Sequence, residues 1–171
     1  ILEKKYSFIF IINRSSGPPV ITSSKIAEAF KINMLPSTSA YTIINKHALF
    51  EACRNTEITT PQSKQLSDNS SLSLNNVKLP CIVKPSLSLI GKSGVSFVEK
   101  KENLDQAIQL ALKTSMNGII NVEEYIPGDD VSFISFIKDG EVKLHFLIDE
   151  INSIKPNGEH QGKGYAIPSK F

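Results

Sequence analysis

The chain has 171 residues, 40% of them hydrophobic, and 19 Lys and Arg against 17 Asp and Glu give a net charge of +2. That supports one ordinary domain or two small ones around a packed core, and excludes a disordered chain. It also excludes the dense basic field of a nucleic-acid binder, and no apolar run approaches the roughly 20 residues needed to cross a bilayer.

In chain order, Lys4-Lys5 and the run Ser7 to Ile12 imitate a signal peptide, but Arg14 closes the run and no small-residue cleavage site follows. A buried strand is expected there, bounded by Asn13, Ser15, Ser16, Gly17, Pro18 and Pro19. Ser23 or Ser24 then caps a helix carrying Ile26, Ala27, Ala29 and Phe30. A second helix starts at Asn45, with Leu49 and Cys53 at i, i+4. Thr60-Pro61 ends this first segment, residues 1–61. Residues 62–78 hold five serines and three asparagines and read as a loop-like connection, the expected first site of proteolysis. Residues 79–171 show a sharper pattern. Leu79 to Lys84 and Gly94 to Val98 are strands, and Leu104, Ala107, Ile108 and Ala111 have helical spacing. Ile119 to Glu123 is a third strand, and Val131 to Ile137 turns at Asp139-Gly140 into the alternating strand Val142 to Ile148. The order β-β-α-β-β-β describes a mainly antiparallel α+β unit. Cys53 and Cys81 read as small hydrophobes in a reducing compartment, the cytoplasm. The chain begins at Ile1 rather than at a methionine and stops at Phe171 after a strand-rich stretch, as expected of a piece of a longer protein.

Ser86 to Ser93 differs by one residue from the phosphate loop G-x-x-x-x-G-K-[ST], with Ser86 in place of the first glycine. That loop needs a helix N-terminus behind its lysine. Val95 to Val98 is strand-like instead, so Lys92, expected in a mobile loop, is not expected to be a phosphate ligand. Other residues carry a phosphate reading better. Lys84 ends an apolar strand beside Pro85, and Ser93-Gly94 offers a small, flexible turn that can lie over phosphates with its N–H groups outward. Glu123, Glu124, Asp129 and Asp130 put four carboxylates within eight residues. Singly, these have a plainer reading as a surface lysine and solvated loop acids.

Together they resemble the ATP-grasp superfamily, in its carbamoyl-phosphate-synthase-like and amino-acid-ligase-like branches. The resemblance rests on Leu79-Pro80-Cys81-Ile82-Val83-Lys84-Pro85, then Gly91 to Val95, then Glu123-Glu124-Tyr125-Ile126-x-Gly128-x-Asp130 in register, with Gly164 to Ser169 at the end. It implies an incomplete ATP-grasp fold, with a lid subdomain of antiparallel sheet and flanking helix preceded by a small helical segment. It implies that Lys84 and Lys46 touch the nucleotide phosphates, with Ser93 and Gly94 above them. The Glu123 to Ile126 strand would meet adenine through the Glu124 carbonyl and the Ile126 N–H, with Tyr125 between, and Asp130 would hold the ribose. The activity implied is ATP-dependent joining of a carboxylate to an amine, or to a thiol, through an acyl phosphate. ATP and magnesium are the implied cofactors. Asp149 and Glu150 are neighbours on a strand and point to opposite faces, so the metal ligands are expected elsewhere and the segment alone is expected to be inactive. A non-catalytic nucleotide-binding or interaction module on the same fold is the alternative.

Overall fold

The computed structural model describes residues 10–54, 56–67, 77–156 and 158–171. Three helices come first: α1 (Pro18–Ala29), α2 (Ser37–Ile44) and α3 (Lys46–Cys53). The strand expected over Ser7 to Ile12 falls mostly outside the described residues, and Phe10 to Ile12 are not in a strand. α1 begins at Pro18 rather than behind Ser23 or Ser24. Proline suits the first helical turn, where its missing N–H has no partner to lose. Ser24 and Ala27 of α1 and Ala40 of α2 are buried where the two helices pack. α2 was not expected, because it ends in Thr42-Ile43-Ile44, a β-branched run. Its first turn is completed from α1, where Glu28 Oε1 accepts from the Ser37 N–H at 2.7 Å. α3 starts as the sequence predicts. Asn45 Oδ1 accepts from the amides of His47 and Ala48, each at 3.1 Å.

β1 (Ser63–Ser67), β2 (Cys81–Pro85), β3 (Ser96–Val98) and β4 (Ile119–Glu124) form an antiparallel sheet in the order β1-β4-β2-β3. β1 corrects the reading of 62–78 as loop throughout. It pairs along β4 from Ser63 opposite Glu123 to Ser67 opposite Ile119, and Leu66 is its one buried residue. The rest of that stretch through residue 76 lies outside the described residues. One face of the sheet packs on α4 (Leu104–Thr114). Leu66, Cys81, Val83, Val98, Ile120 and Val122 meet Leu104, Ala107 and Ala111 there. Each large member of this core contributes about 1.5–3 kcal/mol.

β5 (Val131–Lys138), β6 (Glu141–Ile154) and β7 (His160–Ala166) form a second antiparallel sheet in that order. The predicted turn joins the first two, with Asp139 and Gly140 at φ 53° and 78°. Two successive positive φ values match the right-handed twist of a hairpin. β7 was not expected, since Gly162 and Gly164 break any alternation. The sheets meet where 158–160 runs beside β3. The Phe97 N–H donates to the Gly158 carbonyl and the His160 N–H to the Val95 carbonyl, both at 2.9 Å. Gly158 has φ +82°, and a Cβ there would stand 2.7 Å from the Phe97 carbonyl oxygen. No side chain fits at that crossing.

Candidate functional site

Residues directly opposite in paired strands share a face. On the side of the first sheet away from α4, this rule gathers Ile82 and Lys84 of β2, Phe97 of β3, Asn121 and Glu123 of β4, and Ser63 and Gln65 of β1. α3 is tied down onto this surface through Ser86. The Lys46 N–H donates to the Ser86 carbonyl at 3.4 Å. The Ser86 hydroxyl donates to Asn45 Oδ1 at 3.4 Å, and Gln65 Nε2 donates to Ser86 Oγ at 3.3 Å. The oxygen that caps α3 therefore also fixes the helix to the sheet.

Lys84 Nζ lies 2.5 Å from Glu123 Oε2, and the two side chains are 18% and 4% exposed. This is a largely desolvated ion pair. Asn121 Nδ2 donates to the other carboxylate oxygen at 3.2 Å, and the Lys84 ammonium stands 5.5 Å from the centre of the Phe50 ring. Lys46 shares the same surroundings. Burial, and next the charge of Lys84, hold its ammonium below the usual lysine range, while Glu123 pulls the other way. Two lysines from different elements thus share one carboxylate, and a polyanion is the ligand that relieves their repulsion.

Glu124, Tyr125 and Ile126 continue β4 past this group. The Glu124 N–H donates to the Gln62 carbonyl at 2.9 Å. The Tyr125 ring packs on Phe97 at 4.6 Å between centroids, and Ile126 is exposed. Ile82, Phe97 and Tyr125 form an apolar strip beside the charged group, of the kind a planar base uses. Asp130 stands apart from Lys84. It is exposed, accepts from Asn152 Nδ2, and lies 3.8 Å from His160 Nε2.

Ser93 and Gly94 correct the expectation of a yielding turn. Gly94 is buried, with φ +71°, and a Cβ there would stand 1.9 Å from Thr114 Oγ1 and 3.2 Å from Pro85 Cγ. It is glycine because α4 leaves no room. The Ser93 N–H donates inward to the Ile90 carbonyl at 3.4 Å. Lys92, expected in a mobile loop, is anchored too. Its Nζ lies 2.5 Å from Glu150 Oε2 and 2.7 Å from Asn152 Oδ1, and Ser132 Oγ donates to Glu150 Oε1 at 2.5 Å. Lys92 first, then Ser132, hold the Glu150 carboxyl below its ordinary range. The strand β3 follows this loop, so no helix N-terminus stands behind Lys92 and the phosphate-loop pattern is without its context.

Asp149 and Glu150 do face opposite ways. Asp149 accepts from the Ser169 hydroxyl and from the Lys170 N–H, the latter at 3.0 Å. Both acids are committed to donors of this chain and do not fit a magnesium ion. Among the described residues no group of three His, Cys, Asp or Glu side chains is placed to hold a metal. A separate recess of about 280 Å³, lined by Gln106, Gln109, Lys113 and Glu159, lies against α4 and shares no residue with the Lys84 group.

Sequence reasoning missed Phe50, Ser86, Phe97 and Asn121. Only Asn121 left a signal, a lone amide inside the apolar run Ile119 to Val122.

The family model described as D-Ala D-Ala ligase C-terminus matches residues 48–156, more than half of the chain. Among solved structures the chain is similar to the VanG D-Ala:D-Ser ligase from Enterococcus faecalis. The TM-score is 0.74 at 20% identity, covering 91% of this chain and 48% of that one. It is similar to the L-amino acid ligase from Bacillus licheniformis, with TM-score 0.70 and 21% identity, over 91% of this chain and 35% of that one. The D-alanine-D-alanine ligase from Helicobacter pylori gives 0.65 and 19%, over 86% and 44%. Identities this low carry the fold, which is ATP-grasp. The chain spans less than half the length of these relatives. No curated protein matches its sequence. Among the described residues no helix is long and apolar enough to cross a membrane.

Proposed function

This chain belongs to the D-Ala D-Ala ligase C-terminus family, and from that membership we propose that it supplies the ATP-binding part of an ATP-dependent ligase. The observation that carries this reading is the meeting of Lys84, Lys46 and Glu123 beside the strip of Ile82, Phe97 and Tyr125. Adenine lies on that strip, with its edge read by the Glu124 carbonyl and the Ile126 N–H. The phosphates reach Lys84 and Lys46, and Asp130 turns to the ribose. A helical segment through residue 61 precedes a lid subdomain, into which β1 now falls.

The reaction is the one these parts serve. A substrate carboxylate oxygen attacks the γ-phosphorus, its bond to the β-phosphate oxygen breaks, and acyl phosphate and ADP form. An amine then attacks the acyl carbon and displaces phosphate, closing a C–N bond. The work of this chain is positioning and charge neutralisation, since phosphoryl transfer asks little covalent chemistry of the protein. Asp149 and Glu150, engaged by donors of this chain, do not fit the magnesium that such reactions use. The free thiols Cys53 and Cys81 and the use of ATP suit the cytoplasm.

The test is calorimetry of the intact protein with ATP, followed by hydroxylamine trapping of an acyl phosphate across an amino-acid panel. ATP should bind and a hydroxamate should accumulate with the true carboxylate. Absence of ATP binding at millimolar concentration would sink the reading.

A further inference from the structure

We propose that Asn121 is a positioning residue for Lys84 and acts on it through Glu123. The inference rests on the nucleotide site described above. Asn121 is fully buried at the centre of β4, directly opposite Lys84 on β2 and Gln65 on β1. Its neighbours along the strand, Ile120 and Val122, belong to the apolar core on the other face. Packing alone asks for an aliphatic side chain at such a position. An amide is there instead, and among the described residues its Oδ1 has no donor. The amide therefore stays at a cost, and its one bond goes to Glu123 Oε1 at 3.2 Å.

That bond has a consequence for the lysine. A carboxylate rotates broadly about its last torsion, and the four-carbon stem of lysine is flexible. With Oε1 pinned by the Asn121 amide, the plane of the carboxylate is set and Oε2 points at Lys84 Nζ, 2.5 Å away. The amide cannot be reversed, because its oxygen would then face the carboxylate. An ammonium has three N–H donors. One remains on Glu123 and fixes the height of Lys84 above the sheet, which leaves two for phosphate oxygens. The charged groups facing Glu123 are Lys84 from β2 and Lys46 from α3, while β1 offers the uncharged Ser63 and Gln65.

The experiment is a double-mutant cycle in the intact protein, Asn121→Leu with Glu123→Gln, read by calorimetric ATP affinity and by thermal melting. Asn121→Leu should weaken ATP binding roughly five- to tenfold. In the Glu123→Gln background the same substitution should change ATP affinity less than twofold. Asn121→Asp, which keeps the shape and removes the donor to Glu123, should weaken ATP binding at least as much as Asn121→Leu. Equal effects of Asn121→Leu on ATP affinity in both backgrounds would overturn the inference, as would a lowered melting temperature with an unmoved ATP affinity. A wild-type protein that binds no ATP would overturn the nucleotide reading itself, an outcome visible before any variant is made.

Discussion

Lys84 and Glu123 hold each other in a setting where neither charge is well solvated, and this decides how variants there behave. Removing one partner strands the other, at about 3–5 kcal/mol. Lys84→Met should therefore lower stability by that order as well as ATP affinity, and affinity alone would misreport its role. Adding Glu123→Gln to Lys84→Met removes the stranded charge. The double variant should melt closer to wild type while ATP binding stays at least tenfold weaker. Recovery of both together would place Lys84 in the fold only. Lys46 supports a pH prediction. Its folded-state pKa lies below the 10.5 of an exposed lysine, through burial first and repulsion by Lys84 second. Its charge thus opposes folding at neutral pH, and stability should rise as pH climbs from that lowered value toward 10.5. ATP affinity should fall over the same rise, because the neutral amine no longer attracts phosphate. Lys46→Arg should keep its affinity to higher pH, which calorimetry along a pH series can read.

The loop between β2 and β3 is an element whose two special backbone positions have different causes. Gly94 must be glycine twice over, for its left-handed φ and for the 1.9 Å approach of Thr114. Gly94→Ala should cost about 2–4 kcal/mol. In a Thr114→Ala background the packing share should shrink, since the Oγ1 contact is lost while Pro85 Cγ stays at 3.2 Å, and the backbone share should remain, as urea denaturation of the four proteins would show. Lys92, at φ 65°, accepts a conformation unusual for a side chain with a Cβ, and its ammonium is what gains. It reaches across to Glu150 and Asn152 of β6. Lys92→Met should lose about 1–2 kcal/mol and leave ATP affinity within about threefold. Loss of nucleotide binding in Lys92→Met but not in Lys84→Met would reverse the assignment of the two lysines.

At the scale of the molecule, the described residues couple the two sheets at the crossing at Gly158 and, as a second contact, at Lys92–Glu150. The second titrates. Glu150 has its folded-state pKa below the ordinary 4.5. Its contribution is present above 4.5 and lost as pH falls through the lowered value. Unfolding free energies from about pH 6 to about pH 3 should fall more steeply for wild type than for Lys92→Met. Parallel curves would show that the contact contributes nothing to holding the sheets together.

Local pattern determined much of this protein from the sequence alone. The apolar runs of β2 and β4, the spacing of α4, the Asn45 cap and the Asp139-Gly140 turn are all set within a few residues. Lys84 and Glu123 could be named because each stands in a short motif. Tertiary structure decided the rest, where the partner lies far along the chain. α2 needs Glu28 from another helix, and β1 hides its one core residue among polar neighbours that only β4 makes a strand. Gly94 looked free until α4 filled the space above it, and Lys92 looked loose until β6 supplied its acid. The side chain of Asn121 acquires a role only because strand register sets it opposite Lys84, a relation fixed by pairing between distant segments and by no local preference.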